Sequence, residues 1–257
     1  MKILTCNIRY FGAQDGKNGW SFRKELCTKL IAVQAADIIC FQEMWDTQFT
    51  DLITALPAYK TYALPDEPVG VHPLNCIFYH PDIYTMISAG GYFLSDRPHV
   101  AGSYSWNSCC VRLANWIRLH DRTTGVEFRV VNTHLDHISQ IAREHQARLI
   151  SEDTAAYPAD YPQLLTGDMN CDYQNRAIDI LKSAGWVDTY GSVHRTENPG
   201  PTYHEFLGPQ YRSPISKMDW IFSRGKIIAT NAEVITDSIG GQFPSDHYFV
   251  SANLRFG

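Results

Sequence analysis

The chain has no apolar run long enough to cross a bilayer; its longest, such as Ile38 to Phe41 and Met218 to Phe222, are only a few residues each. A spanning helix needs about 20 apolar residues, so no membrane partner is expected. Met1-Lys2 leads straight into a strand-like run rather than a basic segment followed by a long apolar one. No secretory signal therefore stands in this chain, one already removed stays open, and a cytoplasmic location is expected. Excess positive charge is also missing: 22 lysines and arginines face 27 acidic residues, for a net charge of -5. A duplex-DNA binder neutralises closely spaced phosphates with clustered cations, so stable duplex binding is not expected. The seven cysteines are odd in number and form no C-x-x-C pair, which argues against a disulfide framework, a zinc ribbon and a thioredoxin-type site. Low-complexity segments and solenoid-length repeats are absent too.

What is present is an ordinary globular composition, 44% apolar and 19% charged over 257 residues. That length suits one large domain or two small ones; with no composition shift marking a boundary, a single domain spanning residues 1–257 is expected, as a monomer. Lys2–Ile8 alternates as a strand, Ile38–Gln42 reads as a short buried strand, and strand-like runs recur over Asn75–Tyr79, Asn115–Leu119, Glu127–Thr133, Gln163–Thr166, Met218–Phe222, Ile227–Ile235 and Phe249–Leu254. Helical spacing appears over Ser21–Gln34, Ser139–Tyr157 and Asn175–Ala184. Short β-branched strands with few, dispersed helices predict an α/β fold of two stacked sheets covered by helices. The Gly- and Pro-rich segment Asp188–Ser216 shows no periodicity and reads as a long functional loop.

Polar residues collect where the apolar strands end. Asn7 closes the first, Glu43 follows the second, and His134 follows Arg129–Thr133. Asp168 and Asn170 follow Leu164–Thr166, Asp219 enters the next strand, and Asp246-His247 precede the last. A sheet holds strand ends rigidly enough for catalysis. Carboxylates and amides with few histidines suit a hard cation, Mg2+ or Mn2+, better than zinc, and phosphate chemistry is the natural use of such a site. Taken singly, Gly167–Asn170 also reads as an Asx-turn and Asp246-His247 as a cap. Arg9, Arg143 and His204 are candidates to cradle the substrate, a salt bridge or a core hydrogen bond being the other reading. Tyr10, Phe11, Trp20, Trp45 and Trp106 are compatible with stacking on a base or sugar, or with packing.

Six segments in order, Thr5-Cys6-Asn7-Ile8-Arg9, Phe41-Gln42-Glu43, Asn132-Thr133-His134-Leu135, Gly167-Asp168-Met169-Asn170, Lys217 to Phe222 and Ser245-Asp246-His247, resemble the endonuclease/exonuclease/phosphatase superfamily. Asn132–His137, Ser105-Trp106, Ala142-Arg143 and Gln146 look most like a bacterial phosphodiesterase-like branch related to deadenylase-type members. The resemblance implies a four-layered α/β-sandwich, two mixed β-sheets packed face to face with helices outside, and metal-dependent phosphoester cleavage. It implies Glu43 as metal ligand with Asn7 and Asp246, and Asp168 on the attacking water with Asn170 donating to a phosphoryl oxygen. His247 would bond the phosphoryl group with Asp219 holding its tautomer, while His134 would serve the leaving oxygen. Apurinic-site nucleases of the superfamily usually carry an acidic residue where Arg9 stands. The expected substrate is therefore a small phosphorylated molecule or single-stranded nucleic acid. The alternatives are a nuclease, deadenylase-like or DNA-cleaving, and a catalytically inactive binding protein on the same fold.

Overall fold

The computed structural model describes residues 1–66 and 72–257. Residues 67–71, within a loop expected to bear on specificity (Leu64–Pro73), lie outside the described residues. Two mixed six-stranded sheets face one another. The first holds β1 (Lys2–Asn7), β2 (Ile38–Gln42), β3 (Lys60–Tyr62), β4 (Ile77–Tyr79), β11 (Ile227–Ile235) and β12 (Phe249–Phe256), in the order β11-β12-β1-β2-β4-β3. The second holds β5 (Tyr84–Phe93), β6 (Leu113–Asp121), β7 (Glu127–His134), β8 (Gln163–Asp168), β9 (Val187–Asp188) and β10 (Asp219–Arg224), in the order β5-β6-β7-β8-β10-β9. Helices α1 (Trp20–Val33) and α2 (Asp46–Ala55) cover the first sheet, and α3 (Gln140–Ala155) and α4 (Arg176–Ser183) the second.

Period-two alternation sorts the strand residues between two interfaces. On β1, Ile3 points between the sheets while Leu4 and Cys6 pack with Cys27 and Ile31 of α1. On β8, Leu164 faces between the sheets while Leu165 packs with Ala147 and Ile150 of α3 and Leu181 of α4. These side chains are buried on both faces of each sheet, and each contributes about 1.5–3 kcal/mol of transfer free energy. Both helices over the second sheet are capped from the sequence: Ser139 accepts from Ala142 N–H, and Asn175 from Ala177 N–H.

The layer between the sheets changes character along the strands. Ile3, Ile38, Val130, Leu164 and Ile221 form its apolar end. One step further lies a buried polar belt in which Gln42 Nε2 donates to Asn132 Oδ1 at 2.6 Å and to Thr5 Oγ1 at 3.0 Å. Thr166 Oγ1 donates to the same Asn132 oxygen at 3.2 Å, and Asn132 Nδ2 donates to Phe41 O at 2.8 Å. Buried amides with their bonds made specify one register for the two sheets, because any slip leaves them unpaired. Beyond the belt the strands end.

The segment Asp188–Ser216 is not wholly irregular. It opens with α5 (Thr189–His194), whose first turn is held by Asp188 accepting from Tyr190 and Gly191 N–H, and it includes a 3-10 turn over Gly208–Gln210.

Candidate active site

Strand register alone assembles the site. In the parallel pair β1/β2, Asn7 lies opposite Gln42, so Glu43 emerges beside it. In the parallel pair β7/β8, His134 lies opposite Asp168, and antiparallel β10 sets Asp219 opposite Asp168. The Asp246-His247 segment enters β12, which pairs with β1, and His247 bridges to Tyr203. Gly167 has φ +151°, and a Cβ there would collide with the Thr133 carbonyl. Only glycine lets β8 close against β7 immediately before Asp168.

Three non-glycine residues at these ends are left-handed: Arg9 (φ 54°), Glu43 (φ 61°) and Asn170 (φ 50°). Strain of this kind costs about 1–3 kcal/mol per residue and persists where surrounding bonds over-determine it. Those bonds are visible. Asn7 Nδ2 donates to Glu43 Oε1 and to Asp168 Oδ2, both at 3.0 Å, and Asn7 Oδ1 accepts Arg9 N–H at 3.0 Å. Glu43 Oε2 accepts Tyr10 N–H at 3.1 Å, and Asp168 Oδ1 accepts Asn170 N–H at 2.8 Å.

His247 Nδ1 donates to Asp219 Oδ2 at 2.9 Å, and its Nε2 lies 3.8 Å from Asp168 Oδ2. Burial alone would lower the imidazole's pKa. Asp219, followed by Asp168 and Asp246, outweighs burial and raises it to about 10. His247 is thus an imidazolium at neutral pH, with the Asp219 bond fixing its ring. Burial, then Asp219, raises the Asp168 carboxyl above its ordinary range against His247 and its N–H donors. Asp246 is also raised, by burial and then Glu43, against His247 and Arg9.

Two expected roles change. Asn170 Nδ2 donates to His134 Nε2 at 2.8 Å and to Leu135 O at 2.9 Å, so both amide hydrogens are spent on positioning His134 rather than being free for a phosphoryl oxygen. Burial, then Arg112, pushes the His134 pKa well below its ordinary value. His134 is therefore a neutral imidazole accepting at Nε2, not a ready proton donor to a leaving oxygen.

Two expected substrate residues do not reach the cavity. Arg143, in the first turn of α3, donates to Asp136 O at 2.9 Å and to Gln140 Oε1 at 2.9 Å, bracing the loop after β7. His204 is fully buried against Phe243 and Tyr248, its Nδ1 accepting Gly208 N–H, and burial lowers its pKa to about 4. It is a core histidine. Arg9 does line the cavity, although it forms a two-pronged bond to Asp15 at 3.0 Å and lies 3.6 Å from Asp246. Of the aromatics, Tyr10 and Trp45 line the cavity, while Trp20 is buried with its Nε1 on Asp51 and Trp106 stacks on His145.

The cavity above these residues has a volume of about 550 Å3 and includes Glu43, His134, Asp168, Asn170, Asp246 and His247 in its wall. Arg112 and His137 also line it, and neither was among the expected site residues. The residues fit a divalent cation. Ligand atoms of Glu43, His134 and Asp168 lie within 4.8 Å of one another, and Asp219 Oδ1 is buried without a hydrogen-bond partner. Among the described residues, the cations acting on the four carboxylates Glu43, Asp168, Asp219 and Asp246 include Arg9, Arg23 and the His247 imidazolium, and a divalent ion would add positive charge there. Carboxylate and amide oxygens favour Mg2+ or Mn2+.

Residues 4–247 match the Endonuclease/Exonuclease/phosphatase family, and the chain belongs to it. No curated protein sequence matches the chain. Among solved structures it is similar to a functionally unknown conserved protein of Enterococcus faecalis (29% identity, TM-score 0.89, all of both chains covered). It is also similar to an endonuclease/exonuclease/phosphatase of Bacteroides vulgatus (27% identity, TM-score 0.89, 100% of this chain and 98% of that one). A third is a mannosyl-6-phosphatase of Bacteroides thetaiotaomicron (26% identity, TM-score 0.89, 100% of both chains). Members of this family are phosphoester hydrolases, and no helix among the described residues is long and apolar enough to cross a membrane.

Proposed function

We propose that the chain is a Mg2+- or Mn2+-dependent phosphoester hydrolase acting on a small phosphorylated substrate. The observation that carries this reading is the convergence of Glu43, His134 and Asp168 within 4.8 Å at the wall of one cavity, beside a His247 imidazolium held by Asp219. A volume of about 550 Å3 is in the range of small-molecule sites rather than of a polymer groove. The likeness to a mannosyl-6-phosphatase supports a phosphorylated sugar or similarly compact monoester.

Glu43, with Asn7 and Asp246, would hold the metal, which when bound supplies Lewis-acid polarisation of a phosphoryl oxygen. Asp168 orients the attacking water and accepts its proton; its raised pKa makes it a stronger base than an exposed carboxylate. His247 donates Nε2–H to the phosphoryl group as negative charge builds. Asn170 fixes His134, whose neutral ring accepts the amide N–H at Nε2. Arg9 and Arg112 supply positive charge at the cavity wall. The convergence of Glu43, Asp168 and the Asp219–His247 pair on one cavity argues against an inactive binding protein. The unpaired thiols support a reducing, cytoplasmic setting.

A nuclease acting on single strands is the second reading, favoured by the Tyr10 and Trp45 rings at the cavity wall, 5.3 Å apart. The test compares kcat/KM on sugar phosphates, chromogenic mono- and diesters, single-stranded oligonucleotides and supercoiled plasmid, with Mg2+ and after chelation. Turnover of small esters that is lost reversibly on chelation is expected, with Arg9→Ala raising KM. Efficient plasmid nicking that survives Arg9→Ala, without turnover of small esters, would overturn this reading.

A further inference from the structure

The rim of the cavity carries a second cluster of ligating side chains, chemically unlike the oxygen-rich floor. Trp106 and Asn107 are both left-handed, with φ 59° each, and this double turn delivers Cys109 and Cys110 to the edge of the cavity beside the loop after β7. The two sulfurs lie 3.5 Å apart; Cys109 Sγ lies 3.3 Å from His137 Nδ1 and 3.1 Å from Asp136 Oδ2. One ligand atom from each of these four residues falls within 4.8 Å of all the others. A tetrahedral ion with Zn–S about 2.3 Å and Zn–N about 2.0 Å separates its ligands by about 3.8 Å (S to S) and about 3.5 Å (S to N). The observed separations fall short of these by a few tenths of an ångström, so the side chains need only part slightly to admit an ion.

We propose that Cys109, Cys110 and His137 form a zinc-binding site on the rim of the cavity, with Asp136 fixing the loop behind it. The assignment of Asp136 follows from its bonds. Its Oδ1 accepts from Ile138 and Ser139 N–H, and its Oδ2 from Ser108 Oγ and Cys109 N–H. Once the Cys109 Sγ–H that also bonds Oδ2 is lost to metal binding, those four donors still fill the roughly four lone-pair positions a carboxylate offers. Three protein ligands remain, and the fourth position opens towards the cavity, because Cys110 and His137 both line it. Two sulfurs and an imidazole select zinc over the magnesium suited to the floor.

Binding is balanced by protons. Without metal, Cys109 Sγ donates to Asp136 Oδ2 at 3.1 Å and so keeps its proton. Zinc takes both sulfurs as thiolates and releases two protons to solvent. His137 Nδ1 accepts from Arg112 Nη2 at 3.0 Å; when that lone pair turns to zinc, the guanidinium is freed into the cavity.

The full chain, reduced and freed of metal, is titrated with zinc against a chromogenic chelator and separately with cobalt. One zinc per chain is expected, along with a thiolate-to-cobalt charge-transfer band in the near ultraviolet. Cys109→Ser and Cys110→Ser should each cut the band by half or more, the double variant should abolish it, and each single change should weaken zinc by more than the 10–100-fold that loss of a supporting partner costs, which is the effect expected of Asp136→Asn. Glu43→Gln should keep the band, placing it at the rim and not the floor. A readout on the unaltered chain is alkylation counted by mass spectrometry: zinc should protect both exposed thiols. Absence of the band, equal zinc affinity in the double Cys→Ser variant, or unprotected thiols would each overturn the site.

Discussion

Replacing Asp219 by Asn tests the centre of the mechanism with little change of shape. The amide keeps an oxygen where Asp219 Oδ2 accepts His247 Nδ1–H at 2.9 Å, but the charge is gone. A hydrogen bond to a charged partner is worth about 1.5–3 kcal/mol, and 1.36 kcal/mol is one pH unit. The His247 midpoint, raised to about 10 chiefly by Asp219 against the opposing effect of burial, should therefore fall by about one to two pH units. The direct assay follows the His247 imidazole resonance against pH in the metal-free protein, with His247→Ala assigning the signal. In kcat, the donor must be protonated, so the variant loses activity as pH rises through its lowered midpoint, and the ratio of wild type to variant grows with pH. The difference in stability runs the other way with pH. A base raised in the folded state contributes stability fully present below its unfolded value of about 6.5, and that contribution is lost as pH rises through about 10. The gap in Tm between wild type and Asp219→Asn should thus be widest in acid and close towards pH 10. An unmoved titration midpoint, or an activity ratio flat with pH, would refute the coupling; so would losses that simply add in the Asp219/His247 double variant.

Mg2+ should raise the Tm of the wild type, by up to about 2.7 kcal/mol of stability at a hundred times its Kd, and Glu43→Gln should remove most of that gain; thermal melts at graded Mg2+ check it. His204→Ala should cost about 2–4 kcal/mol of stability by emptying the space against Phe243 and Tyr248 while the folded fraction keeps its kcat, as urea melts and initial rates would show. Because burial lowers the His204 pKa to about 4, its neutral ring is a stability cost that grows as pH falls from about 6.5 to 4, and His204→Gln should flatten that part of the acid limb. Gly167→Ala should destabilise by about 3 kcal/mol or more, since its Cβ would collide with the Thr133 carbonyl, and loss of activity should accompany loss of folded protein in circular dichroism.

What the sequence made legible, and what it hid, follows from where each residue's constraint comes from. Strands such as β1, β2, β7 and β8 announce themselves because both faces are buried, so apolar side chains fill both alternations until the polar belt begins. The site came with them: once Asn7 pairs with Gln42 and His134 with Asp168, the strand-end polar residues have nowhere to go but together. Strand β5 was missed because it is an edge strand whose Gly90 and Gly91 look like breakers. In fact a Cβ at Gly90 would strike the Trp116 ring of the neighbouring strand, a reason that exists only after the strands pair. Helix α5 was hidden inside a segment that composition marks as loop, its first turn held by the Asp188 carboxylate. Arg143 and His204 show the opposite failure, in which nearness to a motif along the chain suggested a place in the site. The guanidinium of Arg143 instead turns back to the Asp136 carbonyl, and the ring of His204 turns into the Phe243–Tyr248 pocket. Arg112, outside the quoted motifs, and His137, at the end of the Asn132–His137 run, take cavity positions to which no role was assigned from the sequence. Strand ends inherit their direction from the sheet and can be read one residue at a time, whereas a loop or helix side chain is aimed by the particular hydrogen bond it finds. Substrate preference is therefore only partly written in the motifs, because Arg9 stands in one while the other cavity-wall cation, Arg112, is aimed by His137.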